Sequence, residues 1–64
     1  MNKYGLVKAQ IAELLDEAAN QALHPGDVIE ALIVQAVQTS IQLRGTKPTR
    51  ACLEFELSNI EDSI

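Results

Sequence analysis

Residues 24–45 read HPGDVIEALIVQAVQTSIQLRG, and the main helix of the chain is predicted from this stretch. Its Pro-Gly pair interrupts regular structure near the start. Asp27 then stands at capping-box spacing from Glu30, so Asp27 is the expected N-cap of a helix. At the far end, Gly45 supplies the left-handed exit that many helices use. We therefore predict a helix over residues 28–44.

This predicted helix carries more apolar surface than one neighbouring helix covers. Its apolar side chains form two rows, and a helix with that pattern is normally packed on more than one side. We expect a second copy of the chain to provide the additional cover, in a two-fold dimer. The residues that we assign to the core and dimer interface on this helix are Val28, Ile29, Leu32, Ile33, Ala36, Val37 and Ile41.

The preceding segment, residues 3–23, has the pattern of an amphipathic helix. Its apolar residues recur every three or four positions, as on one helical face, and Asn2 is placed to be the N-cap. The short connection to residue 28 favours an antiparallel helical hairpin. The apolar face of this first helix consists of Tyr4, Val7, Ile11, Leu14, Ala18 and Ala22.

The third segment, residues 48–62, has two interpretations. The alternation of Leu53, Phe55 and Leu57 is typical of a half-exposed strand, whereas the spacing from Leu53 through Leu57 to Ile60 is typical of a helix. A strand would need a partner strand, which only a second copy would supply. We predict a helix in preference to a strand. The expected fold is all-α, a two-helix hairpin with a short third helix that dimerises into a helical bundle.

Length and composition make self-association the expected source of stability. The 64 residues predict a single small domain, 1–64, and a hydrophobic content of 47% excludes a disordered chain. Below about 70–80 residues one core rarely supplies more than roughly 3–5 kcal/mol. Cys52 is the only cysteine, so no internal disulfide assists the core.

The charge balance argues against several classes of partner. Five basic residues face nine acidic ones, for a net charge of −4. Such a chain lacks the uniform basic face that gives non-specific affinity for nucleic acid or for anionic membranes. The first residues do not form the apolar core of a signal peptide. We expect a cytoplasmic protein without a membrane partner.

No set of residues forms a recognisable catalytic motif. We expect His24 to be a turn residue and Cys52 a small buried side chain, while Glu13, Asp16 and Glu17 form a solvated acidic face. An enzyme built on Cys52 and His24 would need the thiol and the imidazole side by side. We predict that the chain is not an enzyme and has no catalytic residue, metal site or cofactor.

The most informative polar feature is a cluster of basic residues. Arg44, Lys47 and Arg50 fall within seven positions and are three of the five basic residues. They would suit an anion or nucleic-acid contact, doubled in a dimer. We prefer the interpretation of a polar loop whose cations complement a helix end and pair with the acidic C-terminus. Glu54 and Glu56 argue against a helix-turn-helix reader, because they would repel phosphates.

The preferred function is therefore a small homodimeric interaction module, an adaptor or regulator that acts through protein–protein contacts. The alternative is a nucleic-acid-binding regulator that uses paired patches of Arg44, Lys47 and Arg50.

Overall fold

Three α-helices make up nearly all of the structure. The computed structural model describes residues 2–63, so the two end residues of the predicted domain lie outside it. The helices are α1, Lys3–Asn20; α2, Pro25–Arg44; and α3, Thr46–Asp62. The described residues contain no strand. The prediction of an all-α fold is confirmed, and so is the choice of helix over strand for the third segment.

The start of α1 is capped as predicted. Asn2 has an extended backbone, with φ −79° and ψ 172°, and its side-chain oxygen accepts a hydrogen bond from the Gly5 amide at 2.8 Å. This bond satisfies one of the free amides that every helix exposes in its first turn.

The end of α1 differs from the prediction. The helix ends at Asn20, not Leu23, because the chain turns through a Schellman motif. The Leu23 amide donates to the Ala18 carbonyl at 2.9 Å, and the Ala22 amide donates to the Ala19 carbonyl at 3.1 Å. Ala22 has a φ of 57°, the left-handed conformation that glycine usually occupies. Ala22 therefore lies in the turn and is not part of the helical face.

The start of α2 also differs from the prediction. The helix begins at Pro25, and Asp27 lies in its first turn instead of capping it. The cap is His24: its carbonyl accepts from the Val28 amide at 3.2 Å, and its Nδ1 accepts from the Gly26 amide at 3.1 Å. Proline is common at the first helical position, because its fixed φ suits a helix and because it has no backbone N–H that would be left without a hydrogen-bond partner there. Pro25 thus starts the helix and leaves the capping position to His24.

A single residue connects α2 to α3. Gly45 has φ 92° and ψ 170°, a combination open in practice only to glycine. Its amide still donates to the Ile41 carbonyl at 2.9 Å. Gly45 thus has the positive φ predicted for the exit from α2, but its ψ of 170° is extended and lies outside the left-handed helical region. Thr46 then begins α3 two residues earlier than predicted, and Pro48 occupies the first turn, where its missing amide removes no helical hydrogen bond.

The chain forms two compact units. The N-terminal unit ends at Leu32 and contains α1 with the first turns of α2; the C-terminal unit begins at Ile33 and contains the rest of α2 with α3. The organisation of residues 1–64 as one domain stays a prediction. Ala18, 4% exposed, is the buried residue of the N-terminal unit, and Thr49, also 4% exposed, is that of the C-terminal unit.

Candidate interaction surface

The N-terminal unit has a shallow apolar depression between its two helices. Leu6, Val7, Ile11 and Leu14 of α1 line it together with Leu32 of α2. Leu32 lies two turns into α2, yet it lies beside residues from the middle of α1. In this unit α2 therefore folds back along α1, as an antiparallel hairpin requires.

The C-terminal unit has an apolar groove between α2 and α3, which we call the α2–α3 groove. Side chains of both helices line it. Its apolar rim is exposed at Ile33 and Leu53, so the groove is open to solvent. The residues that line it are Ile33, Ala36, Val37, Ser40, Thr49, Cys52 and Leu53.

Three polar groups hold the two helices together at one end of the α2–α3 groove. The buried Thr49 hydroxyl donates to the Gly45 carbonyl at 2.9 Å. Its single proton is then used, so at the 2.6 Å contact with Ser40 the serine hydroxyl is the donor. This chain of hydrogen bonds ties α3 to α2 and to the Gly45 junction at once.

Sequence reasoning missed Ser40 and Thr49. Thr49 lies among charged and polar residues, a pattern that favours a solvated loop, and Ser40 carries no apolar signal. The available clue was the four-residue spacing from Gly45 to Thr49, since a helical threonine often donates to the carbonyl four positions earlier. The pairing with Ser40 depends on how the helices pack, which local spacing does not show.

The predicted interface residues of α2 are incompletely covered within the chain. Four of them are half-buried and three are exposed, and none is buried. The half-buried ones are Val28, Ile29, Leu32 and Val37, and the exposed ones are Ile33, Ala36 and Ile41. On α1, Tyr4, Val7 and Leu14 are exposed as well. Assignment of these residues to a dimer interface stays a prediction.

The three basic residues lie around the junction of α2 and α3. Arg44 is the last residue of α2, where a cation complements the helix dipole. Lys47 and Arg50 lie near the start of α3. Arg50 Nε forms an exposed ion pair with Glu54 Oε1 at 3.1 Å, so part of its charge is already matched within the chain.

The other residues considered for chemistry lie in different parts of the fold. His24 caps α2, and Glu17 accepts a hydrogen bond from the Gln21 side chain at 2.8 Å. Cys52 is a free, exposed cysteine, so the expectation that it would be buried is wrong for the chain taken alone. Cys52 lines the open α2–α3 groove, where none of residues 2–63 buries it.

Two further properties hold for residues 2–63. No group of three or more histidine, cysteine, aspartate or glutamate side chains is arranged to hold a metal ion there. None of the helices in this range combines the length and apolar character needed to cross a bilayer. The apolar surfaces described above are thus the most extensive feature from which to argue function.

The chain matches no protein-family model, and no curated protein or solved structure is significantly similar to it.

Proposed function

We propose that the chain is a non-enzymatic homodimeric interaction module, an adaptor or regulator that acts through protein–protein contacts. A second copy supplies the cover that the apolar faces lack in the single chain. Because two-fold dimers are the most common closed assemblies, the expected interface uses the same surface of both copies.

The observation that carries this proposal is the exposure of large apolar side chains on every helix. Monomeric proteins expose single apolar residues freely, but contiguous apolar patches mark interaction surfaces. Among residues 2–63 no large side chain is fully buried. Exposed examples include Val7 on α1, Ile33 and Ile41 on α2, and Leu57 and Ile60 on α3.

The accessible area supports a dimer of ordinary size. The chain leaves 5592 Å² accessible, whereas a soluble monomer of its mass leaves about 4,000 Å². Covering a difference of about 1,600 Å² on each of two chains buries about 3,200 Å² in total, which lies in the range of obligate homodimers. The missing cover therefore matches what one second copy supplies.

Sedimentation equilibrium of two charge variants tests the proposal. Ile33→Glu places a carboxylate on an exposed apolar position of α2, so it should turn the dimer into a monomer without unfolding the helices. Gln35→Glu adds the same charge two residues away, nearly on the opposite side of the helix, and should sediment like the wild type. Circular dichroism checks that both variants stay helical. A wild-type chain that sediments as a monomer throughout the micromolar range contradicts the proposal.

Binding of nucleic acid is the competing role, and a gel shift separates it from the adaptor role. The ion pair between Arg50 and Glu54 already matches one of the three cations, so we expect no salt-dependent retardation of DNA or RNA. Retardation that falls with salt, with a smaller salt slope for Lys47→Ala, would favour the nucleic-acid role instead.

A further inference from the structure

The charges of α3 run opposite to its helix dipole. Its first half carries the basic residues Lys47 and Arg50, whereas the charged residues of its second half are all acidic and end with Glu61 and Asp62. A helix is stabilised by anions near its N-terminus and by cations near its C-terminus. In α3 both preferences are reversed. In the part of α2 that belongs to the same unit, the only charged residue is Arg44, which lies next to the start of α3. This part of α2 therefore supplies no anion for the start of α3 and no cation for its end.

The same helix carries an apolar stripe that the chain leaves open. Leu53, Leu57 and Ile60 lie within about 60° of one another on a helical projection. Their exposed fractions are 44%, 56% and 60%. Leu53 touches the α2–α3 groove at one edge, while Leu57 and Ile60 lie further along α3. One long side of α3 is therefore apolar and incompletely covered by the described part of the C-terminal unit, residues 33–63.

Resting on the proposed homodimer, we infer that α3 packs antiparallel against α3 of the second copy, across a two-fold axis near residue 55. This arrangement places Leu53 of each copy against Leu57 of the other. It also brings the basic half of each α3 beside the acidic half of its counterpart, so the reversed charges become complementary. A parallel arrangement would instead place like charges together.

Helical geometry identifies the ion pair that this arrangement forms. Arg50 and Glu61 lie on the same flank of the apolar stripe, about 60° and 80° from Leu53. In antiparallel helix pairs, residues on the same flank face each other. With the axis near residue 55, Arg50 of one copy, which pairs with Glu54 of its own helix at 3.1 Å, also meets Glu61 of the other copy, and the symmetry repeats this contact. Asp62 lies about 180° from Leu53 and faces away from the interface.

Charge reversal with rescue, measured by sedimentation equilibrium, tests the inference. Arg50→Glu and Glu61→Arg should each weaken the dimer, and the double variant should return to within about threefold of the wild-type dissociation constant. The expected loss for each single variant is about tenfold at low salt, and it shrinks at high salt. Asp62→Arg is the matched control: it changes the net charge as Glu61→Arg does, but on the outward face, and should associate like the wild type.

The outcomes separate this inference from the proposed function. A wild-type dimer whose association is unchanged by the single variants, or not restored by the double variant, overturns the α3 pairing and leaves the homodimer intact. An equal loss in Asp62→Arg also overturns the pairing, because it shows an effect of net charge alone. A wild-type monomer overturns both proposals.

Discussion

At the scale of single residues, two side chains in the turns and helix contacts carry unusual roles. Ala22 adopts a left-handed backbone conformation, and Thr49 is a buried hydroxyl that both donates and accepts. Neither role was visible in the apolar pattern, because alanine reads as a helix former and threonine as a solvated polar residue. Sequence patterns report the average preference of a residue type, while these two residues act against it.

Replacing Ala22 by glycine should stabilise the protein. Alanine at a φ of 57° bears a steric cost of about 1–2 kcal/mol, which glycine avoids. Glycine loses more freedom on folding, so the net gain should be about 0.5–1 kcal/mol. Urea unfolding followed by circular dichroism measures it. Ala12→Gly, at an exposed position inside α1, should instead destabilise by about 1 kcal/mol. Destabilisation by both variants would show that the turn at Ala22 is not left-handed.

Removing the Thr49 hydroxyl should destabilise the contact between α2 and α3. Thr49→Val keeps the shape of the side chain but leaves the Ser40 hydroxyl and the Gly45 carbonyl without their partner, at a cost of about 1–3 kcal/mol. In a double-mutant cycle with Ser40→Ala, the coupling should be about 0.5–1.5 kcal/mol. Thr39→Val, at an exposed position of α2, serves as the control and should be near neutral. Additive effects of Thr49→Val and Ser40→Ala would contradict the hydrogen bond between them.

At the scale of helices, the sequence predicted the types of element better than their ends. The second and third helices end near where glycine and the acidic tail suggested, and Asn2 caps α1 as expected. The start of α2 was placed at the wrong cap, because aspartate is a commoner N-cap than histidine. The ambiguity of residues 53–60 arose because strand alternation and helical spacing share Leu53 and Leu57. Only the absence of a partner strand favoured the helix.

Replacing Gly45 by L-alanine should be costly for a purely backbone reason. A Cβ built there meets no atom within 4 Å, so packing does not contribute to the cost. The φ of 92° with ψ of 170° lies outside the regions open to L-residues, and the expected loss is about 1–3 kcal/mol.

D-Alanine introduced at position 45 by chemical synthesis is the matched control for that variant. Its mirror-image preferences include this conformation, so it should leave stability unchanged or raise it slightly by restricting the unfolded chain. Thermal unfolding of the two synthetic proteins compares them directly. Equal destabilisation by both enantiomers would mean that the added methyl group, and not the backbone conformation, is at fault.

At the scale of the whole molecule, both the composition and the structure indicate that the chain has more apolar surface than it covers by itself. A short chain with 47% hydrophobic residues and no disulfide was expected to need a second copy. The exposure of Ile33, Leu57 and Ile60 gives that expectation specific positions. Hydrophobic periodicity shows which face of a helix is apolar. It does not show which other helix face packs against it. The order of charges along α3 indicates that the two copies of this helix run antiparallel in the inferred interface.

Stability should therefore depend on protein concentration. If folding and dimerisation are linked, the unfolding midpoint rises with concentration by mass action. We expect the urea midpoint of the wild type to increase from low to high micromolar concentration, and that of Ile33→Glu to stay constant. A wild-type midpoint independent of concentration, with a cooperative transition, would mean that the single chain is stable by itself.

The one-residue junction at Gly45 leaves no slack between α2 and α3. One residue inserted beside it would rotate every following side chain by about 100° around the axis of α3. The Thr49 hydroxyl would then point away from Ser40, and Leu53 would leave the groove. Changes in chain length should therefore be tolerated between α1 and α2, where residues 21–24 form a turn, and rejected at Gly45.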